Sequence, residues 1–242
     1  MQITIPASAD GTAGATSVLD LEPLIGMARQ CRADAIRLLP PTGADDLPNG
    51  AALLAMKQRL ERAELGVTAG FWRAPADAEV EDPAWQTANL FEARALLAAL
   101  GEAEVGPLTL VWDAPLREAS QRAALHHFLE SLLEESERAG VPVALRSGLP
   151  ARERDLLLRS FDTPFLGLCL DTRVKAPESL GDRLLAACLT FPARDGHREG
   201  LVRLVRSLKS AQFAGPVHVI GPEHPVAFAY AVGWVRGVLE ER

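Results

Sequence analysis

Residues 167–172 read GLCLDT, a short apolar run that stops on Asp171. A continuous apolar run of this length suits a strand covered on both faces, as in parallel sheets flanked by helices. Ending the run on a carboxylate puts an acid at the C-terminal end of a strand, where parallel α/β barrels carry their chemistry. The same pattern recurs along the chain. Strands are predicted at residues 2–5, 35–39, 67–71, 108–112, 141–145, 166–170, 185–191 and 217–220. Between them apolar residues fall at helical spacing. In LLAMKQRLERAEL (53–65), Leu53, Met56, Leu60 and Ala63 share one side, while Lys57, Arg59, Glu61 and Arg62 lie elsewhere. Residues 87–100 and 120–139 read the same way, with Gly101 and Gly140 as the expected C-terminal caps.

Eight such units in 242 residues average about 30 residues each, close to the ~250 residues of a (β/α)8 barrel. Gly or Pro precedes five of the strands (Gly66, Gly106-Pro107, Gly140, Pro164 and Gly215-Pro216), which favours repeated helix-to-strand turns. No Ser/Gly linker or shift in composition divides the chain. The expectation is α/β, a single (β/α)8 TIM barrel over residues 1–242. A doubly wound open sheet is the alternative, but it calls for a Gly-rich phosphate loop after an early strand, and GxGxxG is absent. Residues 172–184, between the sixth and seventh strands, leave room only for a stub of helix.

A net charge of −7 and a pI near 5.3 argue against an electrostatic nucleic-acid surface. Cys31, Cys169 and Cys188 are far apart and form no CxxC pair, which points to free thiols in a reducing compartment. The N-terminal MQITIPASADG has no basic leader followed by an apolar stretch, and no run approaches the ~20 apolar residues of a membrane span. A cytoplasmic location is expected, without membrane or nucleic-acid partners. GxSxG, HExxH and the P-loop are absent, so serine hydrolase, zincin and NTPase readings fail on those motifs.

Several segments carry a family likeness. DLEPLIGMARQCRADAIRLLP (20–40) resembles the first helix and second strand of the xylose isomerase-like barrels, the sugar phosphate isomerase/epimerase family. LFEARALLAALGEAEVGPLTLVWDAP (90–115) resembles the helix and turn before strand four, and FLESLLEESERAGVPVALRS (128–147) the long helix before strand five. LGLCLDT is similar to strand six, and GPVHVIGPEHP to strand eight. The resemblance implies a TIM barrel that shifts a proton next to a carbonyl on a small sugar, sugar acid or sugar phosphate. It also implies a divalent metal (Mn, Mg, Co or Zn) held by Glu, Asp, His and Glu at the ends of strands five to eight, and a possible homodimer.

Carried over residue by residue, that ligand set is largely missing. Arg146 stands where the first glutamate would be. Asp171 is retained, but Val174 occupies the position of the histidine expected three residues later. Thr190 or Pro192 falls where strand seven would supply a histidine, and Ile220 where strand eight would supply a glutamate, unless Glu223 takes that place. The expectation is a degenerate metal site with no cofactor, a divalent ion at Asp171 being the alternative.

Arg146 beside Asp171 has two readings: a grip on an anionic substrate, or a salt bridge plugging an inactive barrel mouth. Strand alternation turns Gly167 and Cys169 inward with Asp171, and by analogy Arg37, His218 and Ile220. His218 is a candidate acid/base group or a hydrogen-bonded core residue. Glu223, with His224, is a candidate loop acid/base or a solvated turn. Trp72 and Trp112 are candidates to stack on a sugar ring, with packing as the commoner role of such residues. Arg194, in the charged loop ARDGHREG (193–200), is a candidate anion contact or part of an exposed turn. His126 and His127 are adjacent on a helix, do not share a face, and receive no role. Two function classes remain open: a sugar isomerase/epimerase-like enzyme acting on a small carbohydrate or anionic metabolite, and a non-catalytic barrel that binds a metabolite or a protein.

Overall fold

The structure, a computed structural model, describes residues 1–6, 21–40, 47–73, 80–112, 118–171, 183–191, 198–221 and 225–240. Arg194, Glu223 and the expected helical stub after the sixth strand lie outside these residues.

Strands and helices alternate in chain order. They run β1 (Gln2–Pro6), α1 (Glu22–Cys31), β2 (Ala35–Leu38), α2 (Gly50–Arg62), β3 (Gly66–Ala69), β4 (Phe71–Arg73), α3 (Pro83–Glu102) and β5 (Leu108–Trp112). There follow α4 (Ala119–Ala139), β6 (Val143–Ser147), α5 (Ala151–Arg159), β7 (Leu166–Asp171), β8 (Leu184–Thr190), α6 (Arg198–Ser210), β9 (Pro216–Ile220) and α7 (Pro225–Glu240). The strands pair in parallel in the order β3-β2-β1-β9-β8-β7-β6-β5-β4.

The two ends of that order belong to one stave of a barrel. β3 pairs with β2 and β4 with β5, and only Gly70 separates them. The Thr109 N–H donates to the Gly70 carbonyl at 3.2 Å across the junction. A Cβ on residue 70 would lie 2.8 Å from Leu39 Cγ and 3.3 Å from the Leu38 oxygen, so any larger residue would have to push the Leu39 side chain aside for the chain to step over there. The single third strand expected at 67–71 is thus two short ones, and the ring has eight staves, as a (β/α)8 barrel requires.

The fifth stave also differs from expectation, starting at Val143 instead of Val141. The Val141 N–H donates to the Ser136 carbonyl at 3.0 Å, finishing helix α4, and Pro142 has no N–H to give a neighbouring strand. Gly140 caps α4 in the left-handed conformation at φ 69°, as expected. Gly101 is not a cap: α3 runs through it to Glu102. A Cβ there would lie 2.4 Å from the Ala139 carbonyl oxygen, so its role is the close approach of α3 and α4.

The strands bury both faces differently. Ile3, Ile5, Ile36, Leu38, Leu108, Leu110, Val143, Leu145, Leu168, Leu170, Val217 and Val219 belong to the large core that the helices cover. The alternate residues face the barrel axis, where Ala144, Cys169, Ala186 and Cys188 form a small second cluster against Phe71, Leu185 and Ile220. The first and last units are tied at the N-terminal end of the strands: Asp34 accepts from the Ile3 N–H at 2.8 Å and from Arg236 Nη2 at 2.5 Å. No helix among the described residues is long and apolar enough to cross a membrane.

Candidate functional site

Barrel interiors are ordinarily filled by branched apolar side chains in layers. Here the inward-facing layer is charged and polar. Thr4, Arg37, Thr68, Thr109, Arg146, Asp171 and His218 are all buried, together with the aliphatic and thiol cluster just described. Their strands bring them into one ring. Thr4 is the register partner of His218, His218 of Cys188, and Cys188 of Asp171.

Arg146, 6% exposed, and Asp171, 3% exposed, form an ion pair across β6 and β7. Nε donates at 2.6 Å and Nη2 lies at 2.5 Å, both to Oδ2, so two guanidinium nitrogens share one carboxylate oxygen. Burial pulls the Arg146 guanidinium down, but Cys188 and the Asp171 carboxylate more than offset it, leaving its pKa above the ordinary arginine value.

Arg37 differs from its neighbour. Its Cζ stands 4.1 Å from the Phe71 ring centroid, and its Nη1 is buried without a hydrogen-bond partner. Burial, reinforced by repulsion from Arg146, lowers its pKa to about 10, which still leaves it a cation at neutral pH. The Arg146 guanidinium stands over the same Phe71 ring at 5.7 Å. Phe71 also meets His218 edge-on, with centroids 5.2 Å apart.

His218 is fully buried, and burial followed by the two arginines pushes its pKa well below the usual histidine value. It is a neutral imidazole. Nδ1 lies 2.7 Å from Thr4 Oγ1, and Nε2 has no hydrogen-bond partner. Cys169 and Cys188 sulfurs are 3.3 Å apart, and burial drives the Cys169 thiol strongly upward, so it stays protonated.

Arg37, Asp171 and His218, expected to face inward, lie in this layer, and Arg146, expected beside Asp171, joins them there. Trp72 and Trp112 do not, which corrects their assignment as stacking platforms for a sugar. In β4 and β5 the inward positions are Phe71, Thr109 and Val111, so both indoles turn outward. There they pack with Trp85 and Phe128 between the strands and α3 and α4, and Trp72 Nε1 donates to Glu92 at 3.2 Å. Sequence reasoning missed Phe71, Thr4 and Cys188. Single polar residues inside apolar strands, such as Thr4 in QITIP, were the available signal. His126 and His127 line a groove of about 700 Å³ with Leu125, Leu149 and Leu156, on the outer wall of the barrel between α4 and α5. His126 stacks on Phe161 there and bonds Ser160 at 3.0 Å. Among the described residues no three His, Cys, Asp or Glu side chains gather as a metal-binding group.

Comparisons with solved structures establish the fold. D-psicose 3-epimerase from Clostridium cellulolyticum H10, crystallised with D-tagatose, superposes with a TM-score of 0.75 at 14% identity over 100% of both chains. D-allulose 3-epimerase from a Methylomonas species, in complex with D-allulose, gives 0.72 at 15% identity over 98% of this chain and 97% of its own. A xylose isomerase domain protein from Planctomyces limnophilus gives 0.69 at 13% identity over 98% and 96%. No family model matches the chain, and no curated protein sequence does. The chain therefore has a TIM-barrel fold, shared with these neighbours.

Proposed function

We propose that this barrel acts on a small sugar or sugar acid, moving a proton next to a carbonyl without a divalent cation at Asp171. The observation that carries the reading is His218: a neutral, buried imidazole oriented by Thr4, with Nε2 unpartnered in the same inward layer as the Arg146–Asp171 pair. A neutral imidazole is the form that takes up a proton, and a positioned acid/base group contributes about 10²–10⁴-fold to such a step. In this reading Glu223 is the second acid/base group and Arg194 a substrate contact from the loop after β8. Arg146 stabilises the negative charge that develops on the enediolate oxygen. The sugars crystallised with the structural neighbours support a carbohydrate as substrate.

The donor set at Asp171 does not fit the fold family's metal. One carboxylate oxygen already accepts two guanidinium nitrogens, and the guanidinium stands where another anionic ligand would be needed. A divalent ion requires several O or N donors and would be repelled by the adjacent cation. No step is assigned to a metal.

The test is proton exchange. Incubating the protein in D2O with a panel of ketoses, aldoses and sugar acids, and following C–H signals by NMR, should show washout at the carbon beside a carbonyl. His218→Gln should slow it by about a hundredfold or more. Elemental analysis should find no stoichiometric Mn, Mg, Co or Zn; a full equivalent would overturn the metal-free part. A second reading, a non-catalytic barrel that binds a metabolite or a protein, is favoured by the near-complete burial of the Arg146–Asp171 pair. Absence of exchange across the panel would establish it over the first.

A further inference from the structure

Among the described residues of the inward layer the positive charges outnumber the negative. Arg37 and Arg146 are both cations, Asp171 is the one carboxylate among the described residues there, and His218 is neutral. Asp171 is committed to Arg146 through both of that residue's close nitrogens. Arg37 is left with no carboxylate or hydrogen-bond acceptor on its buried Nη1. A buried guanidinium is ordinarily paired, because leaving it unpaired forfeits its hydration without replacement. Such a group in a barrel interior is the mark of a receptor whose counter-ion arrives with the ligand.

The geometry limits what can meet it. Phe71 covers one face of the Arg37 guanidinium at 4.1 Å, so the hydrogen-bonding directions left are in its plane, along the edge. Two in-plane N–H groups match the two oxygens of a carboxylate. The charge count among the described residues agrees, since one unmatched positive charge there is neutralised by one negative group. A phosphate monoester brings nearly two at neutral pH. Phe71, Thr190 and Ile220 are partly exposed, and Thr190 and Ile220 end their strands on the side where barrels of this kind take their ligands.

We propose that Arg37, backed by Phe71, is the receptor for a single carboxylate, so that the sugar this barrel handles is a sugar acid. The assignment rests on the sugar reading above and names its substrate class. Arg37 sets specificity, whereas His218 and Arg146 face the reacting atoms.

The experiment is calorimetric and thermal-shift titration of the full chain with D-gluconate, D-galactonate, D-glucuronate and D-galacturonate. D-glucose, D-galactose and D-glucose 6-phosphate serve as the neutral and phosphorylated counterparts. At least one sugar acid should bind tenfold or more tightly than its neutral and phosphorylated counterparts. Arg37→Met should collapse that ratio to near one, and Arg37→Lys should recover part of it. Because Met fills the space without an unpaired charge, the unliganded Arg37→Met protein should melt at a higher temperature than wild type. A lower melting temperature or insoluble protein would make Arg37 structural and overturn the proposal. So would equal binding of acid and neutral sugar, tighter binding of the phosphate, or silence across the acids. Neutral sugars that bind and exchange protons in D2O without preference for the acid would leave the sugar reading standing while removing Arg37. Acid binding through Arg37 without exchange would keep Arg37 and remove the proton shift.

Discussion

Thr4 Oγ1 lies 2.7 Å from His218 Nδ1, joining the first strand to the last across a sequence separation of 214 residues. The contact closes the seam of the barrel and fixes the imidazole ring, so it serves stability and chemistry together. Thr4→Val keeps the shape and removes the hydroxyl, leaving a buried ring nitrogen without its partner. The expected cost is about 1–3 kcal/mol, read as a lower urea midpoint at unchanged slope. The His218 ring ¹⁵N shifts should report a changed tautomer balance or a mobile ring. An unchanged midpoint and spectrum would mean that Thr4 neither supports nor orients the histidine.

The Arg146–Asp171 pair predicts that replacing both residues costs far less than replacing either one alone. Arg146→Met removes the ion-pair partner of a carboxylate that is 3% exposed, and Asp171→Leu strands a guanidinium that is 6% exposed. Each should cost about 3–5 kcal/mol, because a buried charge that loses its ion-pair partner is no longer compensated for its lost hydration. The double change Arg146→Met/Asp171→Leu should recover most of that loss. Chemical denaturation of the four proteins gives the coupling energy directly. Additive losses would show that the two side chains act independently despite their 2.6 Å contact.

His218 sets a pH dependence whose sign follows from its lowered pKa. In the unfolded chain the imidazole takes up a proton below about pH 6.5, while in the fold it stays neutral to a lower pH. Below that point the unfolded state binds more protons, so stability falls as pH falls. The slope from this one group reaches at most about 1.4 kcal/mol per pH unit and vanishes above about pH 7. Other acid-sensitive groups add to the curve, so the comparison is with His218→Gln, which should be flatter between about pH 5 and 6.5. Parallel curves for the two proteins would contradict a neutral buried imidazole.

Much of this architecture is legible in the sequence, and the failures have specific causes. GLCLDT and its repeats gave the barrel, because apolar strands between amphipathic helices have few other ways to bury both faces. The inward direction of Arg37, Asp171 and His218 followed from alternation once Asp171 was taken as an anchor. Trp72 and Trp112 had no such anchor. Each sits at or near a strand end, and a shift of one residue exchanges barrel interior for helix layer. Gly70 hid the division of the third stave, since GVTAGFWR reads as one run. The Arg146 contact was foreseeable from the strand ends, but the isolation of Arg37 was not. It depends on which acids reach that layer, and sequence spacing carries no such information.

Two glycines with different jobs give a last, graded prediction. Gly101 lies where a Cβ would stand 2.4 Å from the Ala139 carbonyl oxygen and 3.3 Å from the Ala139 Cβ. Backbone cannot swing aside as a long side chain can, so Gly101→Ala must push α3 from α4. An overpacked contact of that kind costs about 1–3 kcal/mol. Gly140 has open space around it but sits at φ 69°, where a side chain strains the backbone. Gly140→Ala should therefore cost about 1 kcal/mol and leave helix packing unchanged. Thermal unfolding should rank the two variants in that order. Amide exchange should separate their causes: Gly101→Ala loosens α3 and α4 together, and Gly140→Ala only the end of α4. If Gly140→Ala proved the more damaging, close helix packing at Gly101 would not be what α3 and α4 depend on.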